Sequence, residues 1–169
     1  MSDVSEVLGA GRTAVDELAM AAEGAAAQWT NPRAAGKWSP SQVVEHVARA
    51  LEESANVVAG APSKFPTFPG LLRPVARALF FNRVLKTGAF PKAKTTRAMD
   101  PASGPTTPAA GRARLEAAFG RFEQECRAQA ARGTRVQSSI FGAVTVEDYA
   151  RFQTIHTQHH RKQMPPYGS

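Results

Sequence analysis

An all-α helical bundle follows from three observations on this sequence of 169 residues. Apolar residues recur at helical intervals of three and four through most of the chain. Capping motifs and proline or glycine stops cut that pattern into helix-length pieces. Nowhere does apolar alternate with polar for long enough to argue for a sheet. The expected architecture is four main helices and a shorter one around a single core.

Each element has its own justification. Residues 3–28 are rich in Ala, Glu and Leu, and Val4, Leu8, Val15, Leu18 and Ala22 form one stripe of a long first helix. Asn31-Pro32 and Gly36 mark a loop. The second helix starts on Ser39 as N-cap. Pro40 suits the first helical position, where no amide hydrogen is needed, and Gln42 completes a capping box. Its core stripe is Val43 or Val44, Val47, Leu51 and Val58, and it stops near Gly60-Ala61-Pro62. Residues 62–69 hold three prolines with Phe65 and Phe68, a rigid extended connection.

A third helix is predicted over Leu71–Lys86. Leu72, Val75, Ala76, Leu79 and Phe80 are expected on its buried face, with Arg73 and Arg77 on another. Gly88 to Pro108 is a loop beyond the usual length range, which marks it as functional or mobile. The fourth helix runs from about Thr107 to Arg132, burying Leu115, Ala118, Phe119, Phe122 and Cys126, and Gly133 stops it. Residues 134–144 are too short for a standard helix and read as an extended connection. Thr145 caps the last helix, with Asp148 at the third position. That helix reaches about Gln163, before Pro165-Pro166.

Composition narrows the class of function. Apolar residues are 43% of the chain, which excludes wholesale disorder. One cysteine excludes an intramolecular disulfide framework and a Cys-based zinc cage, and fits a reducing compartment. No stretch approaches the roughly 20 apolar residues that span a bilayer, and no leader pattern opens the sequence. A cytoplasmic protein is expected. Residues 1–169 are expected to form one domain, with the first few residues and 165–169 disordered.

The net charge of +7 is localised. Residues 64–114 contain ten Lys or Arg and one acid, Asp100, for +9, while the remainder is −2. A solvated basic face with a mobile loop is the plain explanation. Nucleic acid is disfavoured, since no recognition-helix motif or interleaved aromatics accompany the charges. An amphipathic helix on anionic lipid is disfavoured too, because the apolar residues of 71–86 are expected in the core.

The chemistry concentrates in the histidines. His156 and His160 lie one turn apart on the last helix, about 40° from each other around its axis, so both imidazoles can face one point. His159 lies about 60° to the other side of His156. A third imidazole from another helix would complete a three-histidine metal site, and His46 is the candidate. The competing reading makes the chain a non-catalytic ligand- or partner-binding bundle whose histidines are structural. Glu45 adjoins His46 but points about 100° away. Cys126 sits on an apolar stripe, where a buried structural thiol is expected. Gln42 and Gln163, one turn from His46 and His160, and Tyr149 are candidates for supporting the site.

Two segments resemble a known family. Trp38-Ser39-Pro40-Ser41-Gln42-Val43-Val44-Glu45-His46-Val47 is similar to the opening motif of DinB/YfiT-like proteins. Phe141-Gly142, Thr145 to Asp148, Phe152, His156, His159-His160 and Gln163 resemble their closing segment. The resemblance spans about residues 38–163. It implies an up-down-down-up four-helix bundle, here with the extra short helix and the long loop. It also implies a divalent metal (zinc, nickel or iron) on His46, His156 and His160, with His159 behind the ligands or at the surface. Homodimers are common in that family. Some members are S-transferases or isomerases that use low-molecular-weight thiols. A metal on three neutral imidazoles keeps its charge and open positions, so it can lower a thiol's pKa. A thiol cosubstrate carrying carboxylates would meet Arg73, Arg77 or Arg83, which makes these the expected anion-binding residues.

Overall fold

The protein is described by a computed structural model covering residues 3–92 and 95–165. Of the segments expected to be disordered, the first few residues and 165–169, residues 1–2 and 166–169 lie outside the described residues. The fold is mostly helical, with one small two-stranded sheet. Among the described residues no helix is long and apolar enough to cross a membrane.

Helix α1 spans Val4–Gly24 and starts on Asp3, whose Oδ1 accepts from the Ser5 amide at 3.2 Å. Helix α2 spans Pro40–Ala59. Its capping box is formed as expected: Ser39 Oγ accepts from the Gln42 amide at 3.3 Å, and Gln42 Oε1 accepts from the Ser39 amide at 3.0 Å. Gly60 ends it at φ +73°, a left-handed conformation that favours glycine. After two short helices, α3 (Arg73–Ala76) and α4 (Asn82–Thr87), come α5 (Pro108–Ala131) and α6 (Val146–Arg161). Thr107 and Thr145 cap the last two through their hydroxyl oxygens, each accepting an amide at 3.1 Å.

The core lies where α2 packs on α5 and α1 packs on α5 and α6. Leu8, Leu18, Val44, Val47, Leu51, Leu115, Phe119 and Phe122 are buried there. Each such side chain contributes about 1.5–3 kcal/mol by leaving water. Ion pairs between helices add less, about 0–1 kcal/mol each at the surface, and serve to fix orientation. Arg112 grips Glu23 of α1 with two bonds of 2.7 and 2.8 Å. Arg114 ties α5 to Glu52 and Glu45 of α2. Two of the ten basic residues of segment 64–114 are thus spent on holding the bundle together.

Two expectations need correction. The third helix forms over the expected range, but with another face inward. A 3₁₀ turn (Gly70–Leu72) leads into α3, and a π-helical turn (Arg77–Phe81) joins α3 to α4. Of the expected face only Ala76 and Phe80 pack against the core. Leu72 and Val75 are exposed, as are Leu71 (91%) and Leu79 (71%). Phe81 and Val84, at 1% each, are the buried residues. Arg73 and Arg77 take half-buried positions because main-chain carbonyls receive them. Arg73 Nε donates to Phe68 O at 2.9 Å, and an Arg77 guanidinium N–H donates to Ala143 O at 3.0 Å. The π turn then carries one residue more than an α turn, so a stripe counted at 3.6 residues slips beyond it.

The second correction concerns 134–144, which is a β-hairpin. Strand β1 (Val136–Ser138) pairs antiparallel with β2 (Gly142–Val144), with Val136 opposite Val144. Three residues are too few for alternation to be read from sequence. Ser138 Oγ accepts from the Ile140 and Phe141 amides, and Gly142 turns at φ +72°.

The long loop is fastened across the start of α2. Pro105 O accepts from Trp29 Nε1 and from Ser41 Oγ, both at 2.7 Å. Gly104 lies so close that a Cβ there would stand 2.2 Å from the Ser41 carbonyl oxygen.

Candidate metal centre

Three helix positions bring imidazoles together. His46 lies two turns into α2, while His156 and His160 occupy successive turns near the end of α6. His156 Nε2 stands 3.3 Å from His46 Nε2 and 3.0 Å from His160 Nε2. One nitrogen from each ring lies within 4.8 Å of the other two.

The far nitrogens fix the tautomers. His46 Nδ1 is 2.8 Å from Met99 O, and His160 Nδ1 is 3.0 Å from Gln163 Oε1. A carbonyl oxygen only accepts, so both Nδ1 atoms carry the proton and both Nε2 atoms present lone pairs. Gln163 also turns its amide toward His159 Nε2 at 3.3 Å, which places His159 behind His160. Burial holds the cluster neutral. It pushes His46 down, against the Met99 hydrogen bond. It pushes His156 well down, helped by the His160 and His46 rings. It pushes His160 to about 3, with His46 adding to the effect.

These side chains open on a cavity of about 760 Å³. Trp38 lies over the cluster, its ring 4.7 Å from His46 and 6.1 Å from His160. Phe90 stands 5.1 Å from His156 and packs on Phe80 and Phe152. Phe65 and the hairpin's Phe141 complete the apolar wall. Tyr149 is buried in the same wall, and burial pushes its phenol up.

The other sequence candidates are placed as follows. Gln42 does not touch the imidazoles. Its amide donates to Pro101 O at 3.1 Å and so holds the loop that carries Met99. Glu45 turns away, to Arg49 at 2.8 Å and Arg114 at 3.2 Å. Cys126 is buried and its thiol is pushed up to about 12, chiefly by burial. Arg73, Arg77 and Arg83 are not part of the cavity lining. The first two are bound to carbonyls, and Arg83 lies exposed on α4. The cations that do line it are Arg33, Lys37, Lys92 and Lys162. None of these four cations is marked as a site residue by the sequence, in which Phe65, Phe80 and Phe141 stand as connection, helix-face and motif residues and Phe90 carries no mark. The one signal available was that Phe90 and Lys92 fall in Gly88 to Pro108, a loop too long for a plain connection.

A sequence model of the DinB superfamily matches residues 10–164. The chain belongs to the DinB superfamily. The comparison with curated proteins and the comparison with solved structures each return no match. In this DinB protein the residues present fit a divalent metal on chemical grounds. The three donors are neutral imidazoles, two of them oriented by their far nitrogens, and such donors suit zinc, nickel and iron alike. A three-histidine group also leaves coordination positions free for water or substrate.

Proposed function

We propose that this chain is a divalent-metal-dependent enzyme, with His46, His156 and His160 as ligands, which transfers the sulfur of a low-molecular-weight thiol to an electrophile. The same reading takes the bundle as up-down-down-up. One observation carries it: three imidazole nitrogens converge on the floor of a large cavity, with the far nitrogens of His46 and His160 already committed elsewhere. The metal would supply Lewis acidity that lowers a thiol's pKa into the neutral range.

The chain's own residues do the rest. The Met99 carbonyl and Gln163 hold two rings in register, so they need not reorganise on loading. Trp38 and Phe90 cover the imidazoles and limit water at the reacting atoms. Among the described residues no carboxylate lines the cavity, and Cys126 is buried in the core with its thiol protonated. Neither a carboxylate base nor a protein thiol nucleophile is therefore used. The reaction forms one C–S bond, expels the leaving group with its electron pair, and passes the thiol proton to water.

The test combines metal analysis with turnover. Zinc-loaded and chelator-stripped protein are given chlorodinitrobenzene and a panel of low-molecular-weight thiols, and conjugation is followed by absorbance. The expected result is conjugation that needs both the metal and His156, and disappears in a folded His156→Ala variant. No metal by elemental analysis and none on titration overturns the metal assignment. Bound metal without conjugation by any thiol in the panel overturns the transferase assignment.

A further inference from the structure

We propose that the cavity takes an amphipathic anion, with an apolar or aromatic body against the phenylalanine wall and an anionic group at the mouth. The proposal deepens the functional reading above by naming the substrate class of the same cavity, and rests on that reading for the cavity's being the reaction site.

The body of the ligand follows from the wall. Trp38, Phe65, Phe80, Phe90 and Phe141 line a space large enough for a molecule of cofactor or drug size. Apolar surface of this kind gains most from an apolar or aromatic guest.

The anion follows from the mouth. Arg33 and Lys37 come from the loop before α2, Lys92 from the loop after α4, and Lys162 from the turn that ends α6. All four are exposed and all four line the cavity, so three distant segments set cations around one opening. Among the described residues none of the four has an ion-pair or side-chain hydrogen-bond partner. Elsewhere Arg12, Arg49, Arg112, Arg114, Arg127 and Arg161 each meet a glutamate. The chain holds 14 Asp and Glu, yet no described one lines this cavity. Asp100 is the acid beside the site: its Oδ1 accepts from Trp38 Nε1 at 3.1 Å, outside the lining, and it offsets part of the positive field at His46. A pocket whose lining carries four cations and no carboxylate still raises the local concentration of the opposite sign. The imidazoles beneath add no negative charge, and a divalent ion on them would strengthen the same field. Cations are repelled, neutral molecules gain only from the wall, and an anion with an apolar body gains from both.

The experiment titrates the full chain with naphthoate, naphthamide and naphthylmethylammonium, which share one ring system and differ in charge. Binding is read by calorimetry on metal-free and zinc-loaded protein, at low and at physiological ionic strength. Naphthoate is expected to bind at least about tenfold tighter than naphthamide, the margin narrowing with salt, and the ammonium weakest. Lys37→Gln with Lys162→Gln should shrink the acid's advantage and leave naphthamide affinity unchanged. Phe90→Ala should weaken acid and amide together. Equal affinity of acid and amide, no binding of naphthoate, or an advantage that survives neutralising all four cations overturns the proposal. A charge preference in metal-free protein that never takes up metal leaves the proposal standing and defeats the metal assignment. One zinc per chain with no charge preference does the reverse.

Discussion

His156 Nε2 and His160 Nε2 stand 3.0 Å apart across one turn of α6. His160 presents a lone pair there, because its proton sits on Nδ1 against Gln163. His46 presents a second lone pair 3.3 Å from the same His156 nitrogen. One proton on His156 Nε2 can satisfy only one of these neighbours, whereas a single cation satisfies all three rings. The cluster is therefore better matched to a metal than to protons.

Replacing any one of His46, His156 or His160 by alanine should drop the metal content from about one ion per chain to a small fraction of that, as two imidazoles make a poor site. His159→Ala should keep it, since its ring stands behind Gln163. Elemental analysis of the purified variants decides this. Full occupancy in the His46 variant would remove α2 from the site.

Gln163 is a positioning residue. Gln163→Ala should weaken metal affinity by about 10- to 100-fold, the usual cost of losing the partner behind a ligand. Gln163→Glu keeps an acceptor for His160 Nδ1 and should restore most of it. Competition with a chromophoric chelator measures both. A merely structural role would lower thermal stability in both variants and leave affinity unchanged.

Stability should depend on pH in a definite direction. A free imidazole titrates near 6.5. The fold lowers His46, His156, His159 and His160, the last to about 3. Between those values the unfolded chain binds protons that the folded chain refuses. Stability is therefore full above about 6.5 and declines as pH falls toward about 3. Thermal unfolding of metal-free protein should show the decline beginning below about pH 6.5. It should be shallower in His156→Asn. An unfolding midpoint that stays level as pH falls would refute the lowered values.

Gly104→Ala should cost about 1–3 kcal/mol, since the new Cβ meets the Ser41 carbonyl and main chain must move. It should also weaken metal binding, because the displaced loop carries Met99. Gly9→Ala is the control. Nothing lies within 4 Å of a Cβ there, and helix propensity should gain about 0.5–1 kcal/mol. Urea unfolding gives both numbers.

The corrected face of segment 70–87 is testable in the same way. Leu71→Ser and Leu79→Ser should change stability by no more than about 0.5 kcal/mol, while Phe81→Ala should cost about 3–5 kcal/mol. Comparable losses at all three would restore the face expected from periodicity.

The four long helices were legible from their regular stripes, and two of them also from a chemical start signal: Ser39 and Gln42 for α2, Thr145 and Asp148 for α6. The histidine trio was legible because i,i+4 spacing puts His156 and His160 on one face and His46 is the one histidine on another helix, a choice the resemblance at Trp38–Val47 then supported. Three features had no local signature. Arg73 and Arg77 are drawn inward by the carbonyls of Phe68 and Ala143, which are distant properties of the chain path. The hairpin is too short to show a period. The cavity's cations come from three segments whose meeting is a matter of tertiary structure alone.

His46 is oriented by an oxygen that belongs to the main chain of residue 99. Every amino acid supplies that oxygen, so no substitution at position 99 removes the acceptor itself. The buried Met99 side chain matters for packing, while the acceptor's position rests on whatever fixes the path of the loop: Gly104, Gln42 and the Ser41 hydroxyl. A saturation scan would find this histidine's support written at positions that never touch it.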